Sequence, residues 1–172
     1  MADLRTMYRV MILYMLDQAE YPLTNTQITG FMIEMEYTDY FTVQQCLSDL
    51  LHSELITAQS TQSSTRYFLT EEGSEALGFF REKISKGTRQ DIRDYLRENH
   101  CTIREESTLQ ADYMRAAGAN GWMVRCTAEE KGIPILDISL KVQTKEQAEA
   151  VCLNWKKQYT EVFALLMDTL LQ

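Results

Sequence analysis

Between Arg9 and Arg66 the chain contains neither lysine nor arginine. Residues 10–65 carry the acids Asp17, Glu20, Glu34, Glu36, Asp39, Asp49 and Glu54, so most of the formal net charge of −8 sits in this segment. Such a field repels nucleic acid at long range. Histidine is nearly absent too, with only His52 and His100. Neither lies in a triad or a metal spacing, and the adjacent pair His100-Cys101 falls short of the roughly four ligands a zinc site needs. Gly118 and Gly121 suit a turn and lack the helix that a phosphate-cradling loop requires. These scarcities argue against an enzyme and predict no metal and no cofactor.

Cys46, Cys101, Cys126 and Cys152 are scattered and form no CxxC pair, which points to reduced core thiols rather than a disulfide framework. With 2 Pro, 7 Gly and 45% hydrophobic residues in 172, a compact fold is expected rather than a disordered chain. The run Val10 to Leu16 follows Arg5 and Arg9 in the manner of a signal peptide. It is short, however, and meets Asp17 and Glu20 without a small-residue cleavage site. No run approaches the ~20 apolar residues needed to span a bilayer. A cytoplasmic protein with no membrane partner is the expectation.

What the chain does have is periodicity. Leu4, Met7, Tyr8, Met11, Ile12, Met15 and Leu16 recur at spacings of three and four, predicting one apolar stripe on a helix over 4–18 that Pro22 ends. Thr24 with Gln27 and Thr42 with Gln45 fit capping boxes, marking two further helix starts. Segments 55–59 and 66–69 read as strands about the polar tip 60–65, and Thr70 caps a helix holding Ala76, Leu77, Phe80 and Ile84. A narrow apolar face of Ile92, Tyr95 and Leu96 predicts a connector helix over 88–99. From Cys101 the period becomes two: three alternating segments, broken at 118–121 and at Lys131-Gly132, predict an antiparallel meander. A capping box at Thr144 and Gln147 then opens a long C-terminal helix.

The expected fold class is therefore α+β. The order helix, helix, helix, hairpin, helix is that of a winged helix-turn-helix. Residues 66–77, RYFLTEEGSEAL, resemble the second wing strand and following helix of the PadR-like and MarR-like repressors, with Tyr67, Leu69, Thr70 and Gly73 carrying the recurring pattern. LSDLLHSELI, residues 47–56, resembles the end of a recognition helix entering the wing. The whole chain, including YFTVQQCLSDL at 40–50, is similar to an uncharacterised bacterial family, domain of unknown function four-three-six-four, whose members are described only as winged-helix regulators. The resemblance implies a winged domain over 1–84, a connector over 85–100, and a dimerisation or sensor part over 101–172.

On that reading Thr42, Gln44, Gln45 and Ser48 are the candidate base- or phosphate-facing residues, because a glutamine can pair bidentately with adenine and a helix N-terminus can hold a phosphate. Arg66, Arg5 and Arg9 are the nearby cations. Arg89, Arg93 and Arg97 recur every four residues and could grip phosphates or an acidic partner. Tyr37, Tyr40 and Phe41 are either core or an aromatic surface for a protein partner. Tyr113, Trp122, Cys126, Trp155 and Tyr159 are either the packed core of the second half or the lining of a small pocket. The apolar end VFALLMDTLL, with Val162, Phe163, Leu166, Met167 and Leu170, predicts a homodimer contact. Two functions follow: a transcriptional regulator binding double-stranded DNA as a homodimer, and a winged-helix protein-interaction module with little DNA affinity. The missing cations separate them.

Overall fold

The computed structural model describes residues 2–61, 64–118 and 120–172. Gln62 and Ser63, within the stretch expected as a hairpin tip, and Ala119, within the break expected at 118–121, lie outside the described residues. Among the described residues the chain is a mixed α+β protein with two antiparallel sheets, and it divides into two compact units at Ile103/Arg104.

The first unit is built on α1 (Ala2–Gln18). The predicted stripe accounts for only part of it: Val10, Leu13 and Tyr14, which lie off the stripe, are as buried as Met11 and Met15, whereas Leu4 is exposed. The reason is tertiary. The helix is enclosed by α3 (Tyr40–His52), α4 (Glu71–Phe80), α5 (Lys86–Glu98) and strand β3 (Thr65–Leu69), so its middle has no solvent side. Around it lie β1 (Leu23–Thr24), α2 (Asn25–Glu34) and β2 (Ile56–Ser60); the sheet order is β1-β3-β2, with Ile56 opposite Leu69 and Thr24 opposite Arg66. The two-residue β1 is too short to have shown a period.

The expected capping boxes at Thr24/Gln27 and Thr144/Gln147 are formed in full. The one expected at Thr42/Gln45 is not. The helix starts earlier, Asp39 is its N-cap, and the Asp39 carboxylate accepts from the Thr42 N–H at 2.9 Å. Asp outcompetes a downstream threonine because the chain is already extended at Asp39, as an N-cap must be. Thr70 caps α4, accepting from the Gly73 N–H, while its hydroxyl donates to the Glu54 carbonyl at 2.9 Å and its own N–H donates to the Leu55 carbonyl at 3.2 Å. Gly73 is required where it stands, because a Cβ there would overlap the Leu55 carbonyl oxygen. The Thr-x-x-Gly pattern is thus a junction locking the hairpin to α4.

The stretch expected to connect, 85–100, is occupied by α5. Its Ile92 and Leu96 are buried in the first unit's core, and its Asp91 accepts from the Tyr37 hydroxyl of the α2–α3 turn at 2.7 Å. A helix not foreseen, α6 (His100–Thr108), follows directly. Only Ile103 of α6 is buried, so its polar sequence carried no apolar period to detect.

The second unit is the expected meander, β4 (Leu109–Arg115), β5 (Trp122–Glu130) and β6 (Ile133–Val142), in that order and antiparallel, covered by α7 (Lys145–Leu170). Lys131 and Gly132 both take left-handed backbone angles, φ 51° and 77°, as a tight hairpin turn demands. Val124, Cys126, Ala128, Ala148 and Trp155 form its core, with Tyr113, Trp122 and Tyr159 half-buried against them. The Trp155 indole N–H donates to the Thr127 carbonyl at 3.0 Å. These aromatic residues are therefore packed into the sheet–helix core. No described helix is long and apolar enough to cross a membrane.

Candidate functional site

The first turn of α3 and the end of α2 present an unusual surface. Ile33 and Met35 from α2 and its cap, and Tyr40 and Phe41 at the start of α3, are all exposed, Phe41 to 82%. Tyr40 and Phe41 meet edge-to-face with ring centroids 5.8 Å apart. Solvent-facing Glu34, Glu36 and Asp39 are interleaved with them, and Glu36 turns the chain at φ 57°. Tyr37, by contrast, packs on Phe31 at 5.8 Å, and burial pushes its phenol up from the ordinary value. The expected aromatic cluster is thus split: Tyr37 is half-buried and packed on the core, whereas Tyr40 and Phe41 are surface.

Sequence candidates for DNA contact land unevenly on this frame. Gln44 turns inward. Its amide donates to Asn25 Oδ1 and Thr29 Oγ1, both at 3.0 Å, and its carbonyl accepts from Asn25 Nδ2 at 2.8 Å; Asn25 also donates to the Tyr67 hydroxyl at 3.0 Å. A group so engaged sets the angle between α2 and α3, and reading a base would require breaking a satisfied network. Gln45 does face solvent, bonded to Asp49 at 3.0 Å. Ser48 is half-exposed, and its carbonyl is paired with His52 Nδ1 at 2.9 Å. Thr42 lies in the first turn, and the helix N-terminus it was expected to open is already covered by the Asp39 carboxylate. The Thr42 N–H holds that carboxyl below the ordinary carboxylate range, so it remains charged near neutrality and opposes a phosphate at this end.

Arg66 is only 8% exposed, lodged in β3 between Thr24 and Gln59 of the flanking strands, because an inner strand buries both its edges. Far less of this expected DNA-contact residue reaches solvent than of the exposed Arg5. Arg5 is exposed, and its carbonyl accepts from Cys46 Sγ at 3.9 Å. Arg9 donates to Thr6 Oγ1 at 3.2 Å and lies 3.8 Å from the Asp49 carboxylate of α3. The edge strand β2, from Thr57 to Ser60, is exposed and uncharged.

The α5 arginines also differ from one another. Arg89 lies 3.4 Å from Glu82, and Arg97 lies 2.9 Å from Asp94. Arg93 is held by two neutral oxygens, those of Tyr14 at 2.9 Å and Gln90 at 2.8 Å. In α7, Val162 and Phe163 are half-buried, Phe163 stacking on Tyr159 at 5.8 Å, and Leu166 is half-exposed; Met167 and Leu170 face solvent, Leu170 to 74%. Among the described residues no cluster of His, Cys, Asp and Glu is arranged to hold a metal ion.

Two features escaped the sequence: Asp39 as the cap, and the Asn25–Gln44 network. The first had a local signal, an Asp three residues before Thr42. The second had none, because its members lie far apart in the chain.

A family model described as Domain of unknown function (DUF4364) matches residues 8–170. No curated protein and no solved structure matches the chain.

Proposed function

The chain belongs to that family of unknown function, which attaches no activity to it, and we propose that it is a winged-helix module whose α2–α3 surface docks a protein partner that is basic and apolar. The winged reading rests on the order α1, α2, α3, hairpin, α4, with β1 as a third strand of the wing sheet. The observation that carries the docking reading is the surface from Ile33 to Phe41: four exposed apolar side chains among three exposed acids, with no cation. Desolvated aromatic side chains rimmed by charge are the usual anchors of protein interfaces. Acids in that rim select a partner of positive charge and quicken its approach. Duplex DNA would meet the same acids as a repulsive field, with few cations to release counterions.

A photo-crosslinking amino acid in place of Gln45, on the exposed face of α3, tests this in cells. The expected result is one adduct to a basic protein, abolished when Phe41→Ser and Tyr40→Ser are added. Adducts that persist in those variants, or a crosslink to DNA, would overturn the reading.

The second reading is a cytoplasmic transcriptional regulator binding double-stranded DNA as a homodimer. Arg5 and Arg9 favour it, because they sit beside α3 on α1 and a pair of subunits would double them. Pairing would run through α7, about 39 Å long for its 26 residues, whose Met167 and Leu170 face solvent beyond the sheet-packed Val162. A 20 kDa sedimenting species at micromolar concentration would remove the homodimer, and no enriched duplex in a low-salt genomic pull-down would remove DNA.

A further inference from the structure

A second feature of the first unit is chemically unlike the α3 surface. Where α1 ends and the chain turns back, the opposing helices α5 and α6 leave a cavity of about 320 Å³. Its lining includes the exposed Arg93, Arg97, His100 and Glu20 and the buried Leu96 and Ile103. Arg93, Arg97 and His100 follow at spacings of four and three, so the α5 face that carries the two guanidiniums continues into the first residue of α6. Leu96 and Ile103 are buried, giving the cavity an apolar interior.

The charges of the lining are not balanced alike. His100 Nε2 lies 2.9 Å from the Glu20 carboxylate and Arg97 lies 2.9 Å from Asp94. Arg93 differs, since both of its hydrogen-bond partners, the Tyr14 hydroxyl and the Gln90 side-chain oxygen, are neutral. They fix the orientation of the guanidinium without cancelling its charge, and two of its five N–H donors are thereby spent on positioning. An oriented, uncompensated guanidinium beside an apolar cavity matches a planar oxyanion, which it can grip in bidentate fashion. Arg97, whose side chain is 74% exposed, retains donors beyond the one on Asp94 and can close on the same oxyanion. Glu20 opposes an anion, yet it is engaged by His100 and its side chain is 69% exposed, so it can turn to solvent.

We infer that this cavity binds a small organic anion: a carboxylate or phosphate head on Arg93 and Arg97, with a short apolar or aromatic body against Leu96 and Ile103. The volume lies at the lower end of small-molecule sites, which sets the size of the body at a single ring or a short chain. Nothing in this inference depends on what the α3 surface binds.

Isothermal titration of the full chain with benzoate, phenyl phosphate, inorganic phosphate and benzyl alcohol tests it. Saturable binding of benzoate or phenyl phosphate is expected, whichever is tighter identifying the head group, with inorganic phosphate and benzyl alcohol at least ten-fold weaker. Arg93→Gln should lower affinity by about ten- to one-hundred-fold, the worth of a charge-assisted hydrogen-bonded pair. Arg97→Gln, on a side chain too exposed to affect folding, should lower it several-fold and keeps the test decisive if loss of the Tyr14 contact unfolds the first variant. Arg89→Gln, on the same helix outside the cavity, should leave it unchanged. No saturation by either organic anion at about 10 mM, benzyl alcohol binding as well as benzoate, or an affinity indifferent to Arg97→Gln would each overturn the inference.

Discussion

Replacing Gly73 by alanine pits two effects of opposite sign against each other. Gly73 lies in the first turn of α4, where alanine in a helix is worth about 0.5–1 kcal/mol over glycine. Against this, the new methyl would overlap the Leu55 carbonyl oxygen, approach the Leu55 carbonyl carbon to 3.0 Å and the Leu69 Cδ1 to 2.8 Å. The Leu69 methyl can swing away. The carbonyl cannot, because it accepts from the Thr70 N–H and its residue's own N–H donates to the Leu50 carbonyl at 3.0 Å. Relief requires α4 to slide off the hairpin, which costs about 1–3 kcal/mol of overpacking and about 1 kcal/mol for the Thr70 bond. The net is a loss of about 1–3.5 kcal/mol, or a urea midpoint lower by about 0.5–2 M for a slope of about 2 kcal/mol/M. Gly30→Ala and Gly78→Ala are the controls. Both glycines lie inside helices, and a Cβ on either meets nothing within 4 Å, so each should raise the midpoint by the propensity gain alone. Far-UV circular dichroism is the appropriate signal, since both tryptophans, Trp122 and Trp155, belong to the second unit. A Gly73→Ala midpoint at or above wild type, moving with the two controls, would refute the close-approach argument.

Gln44→Ala should cost about 1–3 kcal/mol by stranding Asn25 and Thr29, whereas Gln45→Ala should stay within about 0.5 kcal/mol; equal effects in urea unfolding would contradict the inward network. Burial pushes the Cys126 thiol up to about 11, so at pH 8 only about one molecule in a thousand carries the thiolate there. Native chain treated with Ellman's reagent should therefore release one prompt equivalent from exposed Cys101, with half-buried Cys152, whose thiol burial also pushes up, reacting more slowly, and Cys46 and Cys126 reacting only on unfolding; prompt reaction of Cys126 would count against the packed second core. The Asp39 carboxyl is held low in the folded chain, so its contribution to stability is complete above the ordinary carboxylate range and fades as pH falls through the lower folded value. Asp39→Asn, which keeps the cap, should flatten the acid limb of a stability-against-pH curve below about pH 4; an unchanged acid limb would refute the cap's role there.

The elements most legible in the sequence were those whose signal is local. Capping boxes at Thr24 and Thr144, the hairpin turn at Lys131-Gly132 and the alternation along β5 are each set by a few neighbouring residues, and each stands where expected. The absence of cations across 10–65 was likewise complete information about charge. Side-chain direction was not legible. Gln44 and Gln45 are adjacent and chemically identical, yet one is tied to Asn25 and Thr29 while the other faces water, because only packing of α3 on α2 decides which flank is enclosed. Arg66 reads as a wing cation until β1 pairs with β3 and buries it, and that pairing joins Thr24 to a residue far along the chain.

The sequence by itself determined where the helices capped at Thr24 and Thr144 begin and where the meander turns at Lys131-Gly132, which unit is helical and which is a meander, and that residues 10–65 carry no lysine or arginine. Only the tertiary structure decided that the middle of α1 is enclosed on every side, that Tyr37 goes inward while Tyr40 and Phe41 go out, and that Arg93 meets neutral partners beside a cavity. The division has one physical cause. Caps, turns and hydrophobic period depend on residues a few positions apart, whereas burial and ion pairing depend on contacts between segments whose separation along the chain leaves no local trace.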